Sequence, residues 1–400
     1  MNIASRLAQI SESATLAISA RANAMKKQGV DVINFGVGEP DFPTPPAICA
    51  AAKAALDAGK TKYTPASGIP ELKAAVCGWT KRLYNVEYSA KQAIITCGGK
   101  HALANAFLAL LEPGDRVLIP APYWVSYPEQ VKLAGGVPVT LQTRLENGFR
   151  IDLAELRQAL RGVRVFVLNT PNNPGGFAYT PEETRAIAGV LAEFPEVIVF
   201  ADEIYELLVY GGRKFVSLAA IAPELKDRTV LFNGAAKTFS MTGWRIGWAL
   251  GPVEVIEAMG TVQSQMTSNP TTMAQWAAVE ALNNPPPEVE QMRAEFEVRG
   301  KLMADGLNAI PGVKCLAAEG AFYCFPDMSA HFGRTINGRK ITGSVSLAEA
   351  LLEFAHVAVV PGEPFGNDKH VRLSFACSRQ TIATGLERIG KLLRFEAASR

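Results

Sequence analysis

The hexapeptide VIVFAD, residues 197–202, decides the fold class, because five apolar residues run directly into an acid. A continuous apolar run of this length is typical of a strand that is buried on both faces of a sheet. Longer patterns with helical spacing separate such runs, as in residues 101–111. This alternation predicts a three-layer α/β domain with a mostly parallel sheet. The other short apolar runs are residues 93–96, 117–119, 163–168, 230–232 and 246–250.

The segment NNPPP, residues 283–287, breaks this alternation and precedes a charged helical pattern at residues 288–307. A chain of 400 residues also exceeds the length at which one core usually keeps growing. We therefore predict a large domain and a smaller α+β domain, onto which an N-terminal arm packs. The predicted limits are residues 1–46 for the arm, 47–287 for the large domain and 288–400 for the small domain. Strands of the small domain are predicted at residues 321–325, 357–360 and 371–375.

The composition is that of a globular protein, with 48% hydrophobic and 20% charged residues. A formal net charge of +2 gives no reason to expect nucleic acid or a membrane surface as a partner. The six cysteines lack metal-site spacing, so we expect mostly buried free thiols rather than a zinc site or disulfides. The first thirty residues do not resemble a secretory signal, and no run of about eighteen apolar residues exists. We expect a cytoplasmic protein.

The carboxyl ends of the predicted strands carry an informative set of residues. In open α/β sheets, ligands bind beyond these ends. Solvated loops would be richer in ordinary surface polar residues, so the set predicts a ligand site. Its members are Gly98-Gly99-Lys100, Trp124, Asn173, Asp202 and Lys237.

Lys237 lies in unusual surroundings for a lysine. Between Arg228 and Glu254, the only charged residues are Lys237 and Arg245, and the neighbours of Lys237 are apolar. Such a setting favours the neutral, nucleophilic amine that Schiff-base chemistry requires. From the residue alone, an ordinary exposed lysine is the alternative. Two cations without a local acid indicate that an anion binds here.

Arg245 and the Gly98-Gly99 pair are candidates for binding that anion. The planar guanidinium matches a phosphate or a carboxylate, although a surface arginine is the alternative. The two glycines open a predicted helix, where backbone N–H groups can approach an oxyanion. The pair does not belong to a Walker A loop, and residues 36–41 do not complete a dinucleotide-binding motif.

Asp202 and Arg372 are the remaining candidates. A carboxylate that emerges from a sheet core needs a partner, which could be a protonated ring nitrogen, a helix N-terminus or a lysine. In VRLSF, residues 371–375, alternation separates Arg372 from the apolar positions. Arg372 could therefore reach into an interdomain cleft and bind a carboxylate, or it could lie on a solvated strand face.

Together these residues resemble the class I aminotransferases of fold type I. The segment NGAAKTFSMTGWR, residues 233–245, is similar to the family's cofactor-lysine segment. The resemblance covers essentially the whole chain, and within the family the motifs resemble those of bacterial aspartate aminotransferases of subgroup Ib, some of which also act on prephenate. Other motifs in family order are FGVGEPDF (35–42), YTP (63–65), GIPEL (68–72), APYWVSYP (121–128) and DEIY (202–205).

The resemblance implies pyridoxal 5'-phosphate as the cofactor, with Lys237 holding it covalently and moving the proton. Asp202 is implied to pair with the ring nitrogen, while Tyr205 and Asn173 bind the ring's phenolic oxygen and Trp124 stacks on the ring. The resemblance also implies a homodimer with shared sites. The implied phosphate-binding residues are Gly98, Gly99, Arg245 and, from the partner subunit, Tyr63, with Lys100 beside them.

The same resemblance implies that Arg372 and Gly38 bind the substrate α-carboxylate. Thr15 and Lys100 are implied to contact the rest of the substrate, Lys100 through a distal carboxylate. Two departures from the family pattern occur. Gly175 replaces a common Thr or Ser, which predicts a looser Asn173, and residues 11–15 read SESAT instead of KPSAT.

We predict transamination between L-aspartate and 2-oxoglutarate. The presence of Lys100 supports aspartate as the substrate, whereas the absence of the KPSAT lysine argues against it. Three alternatives remain open. One is an aromatic, broad-specificity or prephenate aminotransferase of the same family. Another is a pyridoxal-phosphate-dependent β- or γ-lyase, which would use the same lysine, aspartate and arginine. The third is a non-catalytic ligand-binding module.

Overall fold

The structure is a computed structural model that describes residues 3–394 of the 400-residue chain. Its helices are α1 (Ala14–Lys27), α2 (Pro46–Asp57), α3 (Pro70–Tyr84), α4 (Gly99–Leu110), α5 (Ser126–Leu133), α6 (Leu153–Ala159), α7 (Pro181–Ala192), α8 (Leu218–Ile221), α9 (Ala235–Thr238), α10 (Val253–Met266), α11 (Thr272–Asn283), α12 (Glu288–Asn308), α13 (Ser344–Phe354) and α14 (Arg379–Leu393). Its strands are β1 (Ile33–Asn34), β2 (Ala93–Thr96), β3 (Arg116–Ala121), β4 (Val137–Gln142), β5 (Val165–Asn169), β6 (Ile198–Asp202), β7 (Thr229–Gly234), β8 (Gly247–Leu250), β9 (Tyr323–Cys324), β10 (Thr335–Ile336), β11 (Arg339–Lys340), β12 (Val357–Ala358), β13 (Val360–Pro361) and β14 (Val371–Ser374).

The large sheet has the order β2-β8-β7-β6-β5-β3-β4. Its strands are parallel except β8, which is antiparallel to both β2 and β7. The α/β class with a mostly parallel sheet is therefore confirmed. The sequence prediction omitted β4, which lies at the edge of the sheet, contains Pro138 and is partly exposed. An edge strand with one exposed side lacks the continuous apolar run by which the others were recognised.

The buried run at β6 explains why the sheet needs helices on both faces. Val199 and Ala201 pack into one core cluster, whereas Phe200 packs into a second cluster on the opposite face. All three side chains are at most 1% exposed. Burying a Val or Phe side chain contributes about 1.5–3 kcal/mol, so both faces stabilise this strand. Helices α4 and α10 pack together on the Phe200 side, and α2, α3 and α11 pack on the other.

The C-terminal part contains a three-stranded antiparallel sheet in the order β13-β14-β9, together with α12, α13 and α14. The predicted charged helix corresponds to α12. The predicted strand at residues 357–360 is divided, because β12 pairs with β1 while β13 pairs with β14. The parallel pairing of β1 with β12 brings the N-terminal segment against the C-terminal part.

All six cysteines are free, as predicted, but only Cys315 and Cys324 are fully buried. The other four are half-buried, so the expectation of mostly buried thiols is wrong for them. Across the part of the chain that the structure describes, none of the helices has the length and apolar character to cross a membrane.

Candidate active site

The strand directions of the large sheet bring the candidate residues to one edge. Strands β2, β3, β5, β6 and β7 share one direction, so their carboxyl ends meet there. Strand β8 runs the opposite way and begins at this edge, directly after Arg245 and Ile246. The antiparallel strand β8 therefore places Arg245 at the same edge of the sheet as Asp202 and Lys237.

A cavity of about 880 Å³ lies at this edge, between the large sheet and the small sheet that carries Arg372. Of the residues predicted from the sequence, Gly98 and Tyr63 do not line it. Gly98 directly precedes the lining residue Gly99, and the Tyr63 side chain is 91% exposed. The predicted residues that line it are Thr15, Gly38, Gly99, Lys100, Trp124, Asn173, Asp202, Tyr205, Lys237, Arg245 and Arg372.

Lys237 lies in α9, the short helix that follows β7, and its amine points into the cavity. The Nζ atom donates a hydrogen bond to the Gly38 carbonyl oxygen and lies 5.5 Å from the centre of the Phe322 ring. Burial, reinforced by the positive charge of Arg372, lowers the pKa of Lys237 to about 8. A larger neutral fraction of the amine is therefore present near neutral pH than in an exposed lysine.

Asp202 ends β6 and is 5% exposed. Its Oδ2 accepts a 2.5 Å hydrogen bond from the Tyr127 hydroxyl, and its Oδ1 accepts one of 3.2 Å from the Ile204 backbone N–H. Burial raises the pKa of Asp202 to about 6, against the opposing effects of these two donors. Within residues 3–394, no lysine or arginine forms a salt bridge with it. The carboxylate thus lines the cavity with the charge of Lys237 nearby but without a salt bridge among the described residues.

Arg372 lies on β14, and its side chain is buried rather than on a solvated strand face, being 2% exposed. Its Nη1 donates to Asn173 Oδ1 over 3.0 Å, and its Nη2 donates to the Gly36 carbonyl over 2.8 Å. The guanidinium also lies 4.5 Å from the centre of the Tyr323 ring. Its Nε is buried and has no hydrogen-bond partner within the described structure. An unpaired buried cation of this kind can bind a carboxylate.

The loop around Asn173 is held by its own side chains. The Asn173 N–H donates to Asn169 Oδ1 over 3.0 Å, and the Gly175 N–H donates to Asn172 Oδ1 over 2.7 Å. A Cβ atom at Gly175 would lie 2.5 Å from the Phe177 ring. Phe177 therefore fills the space that a Thr or Ser side chain would need. These contacts hold the loop around Asn173 more firmly than the presence of Gly175 alone would predict.

One end of the cavity has the features of an anion cradle. Gly98 has a φ of +89°, and a Cβ atom there would lie 2.4 Å from Arg245 Nη2. Arg245 itself is held by hydrogen bonds from its Nη1 to Thr242 O, 2.9 Å, and from its Nη2 to Cys97 O, 3.3 Å. Helix α4 begins at Gly99, so its positively polarised N-terminus follows directly from Gly98. Both groups favour a bound anion.

A second cation and an indole form another part of the cavity wall. The Lys100 ammonium lies 5.1 Å from the centre of the Trp124 ring, within cation–π range. Burial, together with the charge of Arg245, lowers the pKa of Lys100. Thr15 lines the cavity from α1, which belongs to the N-terminal segment. The cavity is therefore lined by parts of the chain that are remote in sequence.

Sequence reasoning assigned no role to several cavity residues. Tyr127 binds Asp202, Tyr323 shares a 2.9 Å hydrogen bond between hydroxyls with Tyr205, and Glu39 accepts a 2.8 Å bond from the Thr242 hydroxyl. Tyr127 and Glu39 occur inside the quoted motifs APYWVSYP and FGVGEPDF, which was a usable signal. Tyr323 lies in a predicted strand, but the sequence of this short strand does not indicate which way the Tyr323 side chain points.

Comparisons with known proteins agree with this arrangement. Residues 30–389 match the family model described as aminotransferase class I and II. The aspartate aminotransferase of Geobacillus stearothermophilus is 46% identical over 99% of this chain and 100% of its own length. The aspartate/prephenate aminotransferase of Cereibacter sphaeroides is 46% identical over 96% of each chain.

Solved structures show the same likeness. The aspartate aminotransferase from Rhizobium meliloti superposes with a TM-score of 0.94 at 42% identity, covering 98% of this chain and 99% of that one. The Thermus thermophilus aspartate aminotransferase with maleate gives a TM-score of 0.92 at 42% identity, covering 98% of this chain and 100% of that one. This chain therefore belongs to the class I and II aminotransferase family and is an aminotransferase.

Proposed function

We propose that this aminotransferase holds pyridoxal 5'-phosphate on Lys237 and transfers the amino group of L-aspartate to 2-oxoglutarate. One observation carries the proposal. The Lys237 amine, whose pKa burial lowers to about 8, opens into the same cavity as the carboxylate of Asp202 and the guanidiniums of Arg245 and Arg372. A phosphorylated pyridine aldehyde offers its aldehyde to Lys237, its ring nitrogen to Asp202 and its phosphate to Arg245. Arg372 then remains available for the substrate.

The residues fit this cofactor. The anion cradle at Gly98, Gly99 and Arg245 suits a phosphate, and it leaves no room for a Cβ atom at Gly98. Asp202 forms no salt bridge within residues 3–394 and suits a protonated ring nitrogen. Trp124 offers an aromatic face on the cavity wall. Lys237 supplies the amine for a covalent bond to the aldehyde.

When bound, pyridoxal 5'-phosphate supplies a conjugated ring that delocalises the electron pair left when an amino acid loses its Cα proton. The protein's contribution is to bind, orient and move protons. Lys237, when its amine is free, acts as the general base at Cα, because burial lowers its pKa to about 8 and so favours the neutral amine more than in an exposed lysine. Tyr205 and Asn173 complete the polar wall next to it. Thr15 and Tyr323 also line the cavity.

The substrate's α-carboxylate is assigned to Arg372, whose bond to Asn173 Oδ1 fixes its guanidinium plane. A second carboxylate is assigned to Lys100, which lies on the same cavity wall as Trp124. Relatives named aspartate aminotransferase, and a solved relative described with maleate, a dicarboxylate, support a dicarboxylic substrate. The chain's SESAT sequence removes a cation that relatives with KPSAT carry, so Lys100 is left as the cation for the distal group.

A homodimer is part of the proposal. Tyr63 is 91% exposed although it is a large aromatic residue, and Met266 is 59% exposed. Such exposure is expected where side chains are covered by a second subunit. In the proposed dimer, Tyr63 reaches the phosphate of the partner's cofactor, which accounts for its position outside the cavity of its own chain.

A second candidate substrate is prephenate. Relatives named aspartate/prephenate aminotransferase include that of Nitrosomonas europaea, which is 41% identical over 98% of this chain. The cavity of about 880 Å³ is large enough for a ring-containing substrate beside the cofactor. Both substrates carry two carboxylates, so both would use Arg372 and Lys100.

The reaction is tested by incubating the loaded enzyme with aspartate alone. A transaminase converts one equivalent of aspartate into oxaloacetate and leaves the cofactor in its amine form until 2-oxoglutarate is added. A β- or γ-lyase would instead release ammonia repeatedly and regain its starting spectrum, which would refute transamination. Parallel assays with prephenate as the amino acceptor and with phenylalanine as the amino donor rank the substrates.

A further inference from the structure

Tyr127 has a contact that the roles assigned above do not use. It lies in the first turn of α5, its side chain is 1% exposed, and its hydroxyl donates to Asp202 Oδ2 over 2.5 Å. Residues Tyr127 and Asp202 are 75 positions apart in the sequence. A buried hydroxyl with one short bond to a carboxylate is a strong, charge-assisted donor.

The environment of Asp202 shows what this donor does. Burial is the main influence on the acid and favours its neutral form, while the Tyr127 hydroxyl is the first opposing influence and the Ile204 N–H the second. The other titratable groups around the site are Lys237 on α9, and Glu203 and Tyr205 after β6. Loss of the hydroxyl would therefore favour a protonated Asp202, which cannot neutralise a charged ring nitrogen.

The orientation of Tyr127 is also constrained. The Trp124 ring meets the Tyr127 ring edge to face, with centroids 5.4 Å apart and planes at 88°. Trp124 lines the cavity, so one side of Tyr127 packs on the cavity wall while its hydroxyl reaches Asp202. The Ile204 N–H binds the other carboxylate oxygen. These contacts leave the carboxylate little freedom to rotate.

We propose that Tyr127 is a positioning residue, which holds the Asp202 carboxylate in its orientation and in its charged form for the cofactor's ring nitrogen. The proposal rests on the function proposed above. It predicts that Tyr127 acts only through Asp202 and that its loss is compensated by raising the pH, because a higher pH ionises the acid without help from the hydroxyl.

Binding of pyridoxamine 5'-phosphate to the cofactor-free full-length chain provides the test. This probe keeps the ring nitrogen and the phosphate but cannot bond covalently to Lys237, so its affinity is independent of turnover. Tyr127→Phe removes the hydroxyl alone. We expect about tenfold weaker binding at pH 7, the size expected for loss of one hydrogen bond to a charged group, and a smaller loss at pH 8.5. Tyr123→Phe, which removes a hydroxyl that does not contact Asp202, is the matched control and should change affinity less than twofold.

Two further variants separate positioning from simple packing. In an Asp202→Asn background, adding Tyr127→Phe should change affinity less than twofold, since there is no charge left to hold. Incorporation of 3-fluorotyrosine at position 127 keeps the fold and strengthens the donor, so the acid limb of the affinity profile should move to lower pH. The proposal would be overturned if Tyr127→Phe weakened probe binding equally at both pH values, or as much in the Asp202→Asn background as in the wild type. A shift of the acid limb to higher pH with 3-fluorotyrosine would also overturn it.

The same experiment distinguishes this proposal from the function on which it rests. Tight binding of the probe that depends on Asp202, combined with no transfer from any amino acid, would refute the proposed reaction and leave the role of Tyr127 supported. Wild-type binding that is indifferent to Asp202→Asn would overturn the role of Tyr127, even if transamination were observed.

Discussion

Arg372 Nη1 donates a 3.0 Å hydrogen bond to Asn173 Oδ1, across 199 positions of sequence. The bond joins the small sheet to the loop that follows β5, and both residues line the cavity. Because the second amino group, Nη2, is bound to the Gly36 carbonyl, the guanidinium is oriented before any substrate arrives. Preorganisation of this kind lets binding energy be used for the reaction.

Replacing Arg372 by lysine should therefore impair every amino-acid substrate. Lysine keeps the charge but cannot make the two bonds to Asn173 and Gly36 and also bind a carboxylate bidentately. We expect kcat/KM to fall by about 10²-fold or more for aspartate and for aromatic donors alike, since all share the α-carboxylate. Steady-state assays over a panel of donors give the answer. A loss confined to dicarboxylates would contradict the assignment.

Gly98→Ala should weaken cofactor binding through a clash with Arg245. The added Cβ atom would lie 2.4 Å from Arg245 Nη2, and alanine at a φ of +89° is strained as well. Gly114→Ala is the matched control, because Gly114 has a φ of +92° and its Cβ atom would meet nothing within 4 Å. The backbone strain that both variants share should lower the free energy of unfolding of each by about 1–2 kcal/mol. In a titration with pyridoxal 5'-phosphate, only Gly98→Ala should lose affinity, by about tenfold, and equal affinities would argue against the cradle.

The pKa of Lys237 predicts a measurable pH dependence in the cofactor-free protein. Burial disfavours the charged amine, so the folded chain holds this proton less tightly than a free lysine does. Acetic anhydride reacts with the neutral amine only, so the labelling rate should rise with pH and reach half its maximum near pH 8. Mass spectrometry of the labelled peptides measures the rate, with exposed Lys53 on α2 as the internal reference. A midpoint for Lys237 above pH 10 would contradict the burial argument.

Lys100→Met tests how the distal carboxylate is recognised. Methionine keeps much of the apolar stem next to Trp124 but removes the ammonium. We expect kcat/KM for aspartate to fall by about tenfold to a hundredfold, while phenylalanine, which has no distal charge, changes by less than about threefold. Equal losses for both donors would indicate that Lys100 acts on the cofactor rather than on the substrate.

Most strands of the large sheet could be predicted from the sequence, because a strand that is buried on both faces is a continuous apolar run. The run at residues 197–202 is apolar since Val199 and Phe200 face opposite cores. Strand β4 was missed because it has no continuous apolar run. It is an edge strand that contains Pro138 and partly exposed positions. The two-residue strands near Val359 are set by tertiary pairing with β1 and β14, which no local pattern encodes.

The candidate site follows a similar division. Lys237, Asp202 and Arg245 could be picked out from the sequence because each is a charge in apolar surroundings or at a strand end. For Tyr127 the APYWVSYP motif marks the position, but not its contact with Asp202, because an aromatic residue at the start of a helix usually belongs to the core and its hydroxyl partner is 75 positions away. Tyr63 shows the opposite limit, since its proposed role depends on a second subunit.

The central claim is that the Lys237 amine holds the cofactor, and borohydride reduction of the loaded protein tests it most directly. Reduction makes the bond between the amine and the cofactor's aldehyde carbon permanent, and trypsin then releases the peptide of residues 229–245, which contains no other lysine. Mass spectrometry should find the phosphopyridoxyl group on Lys237 in this peptide, at close to one equivalent per chain. Recovery of the group on another lysine, with Lys237 unmodified and the chain therefore cleaved after it into peptides 229–237 and 238–245, would contradict the account.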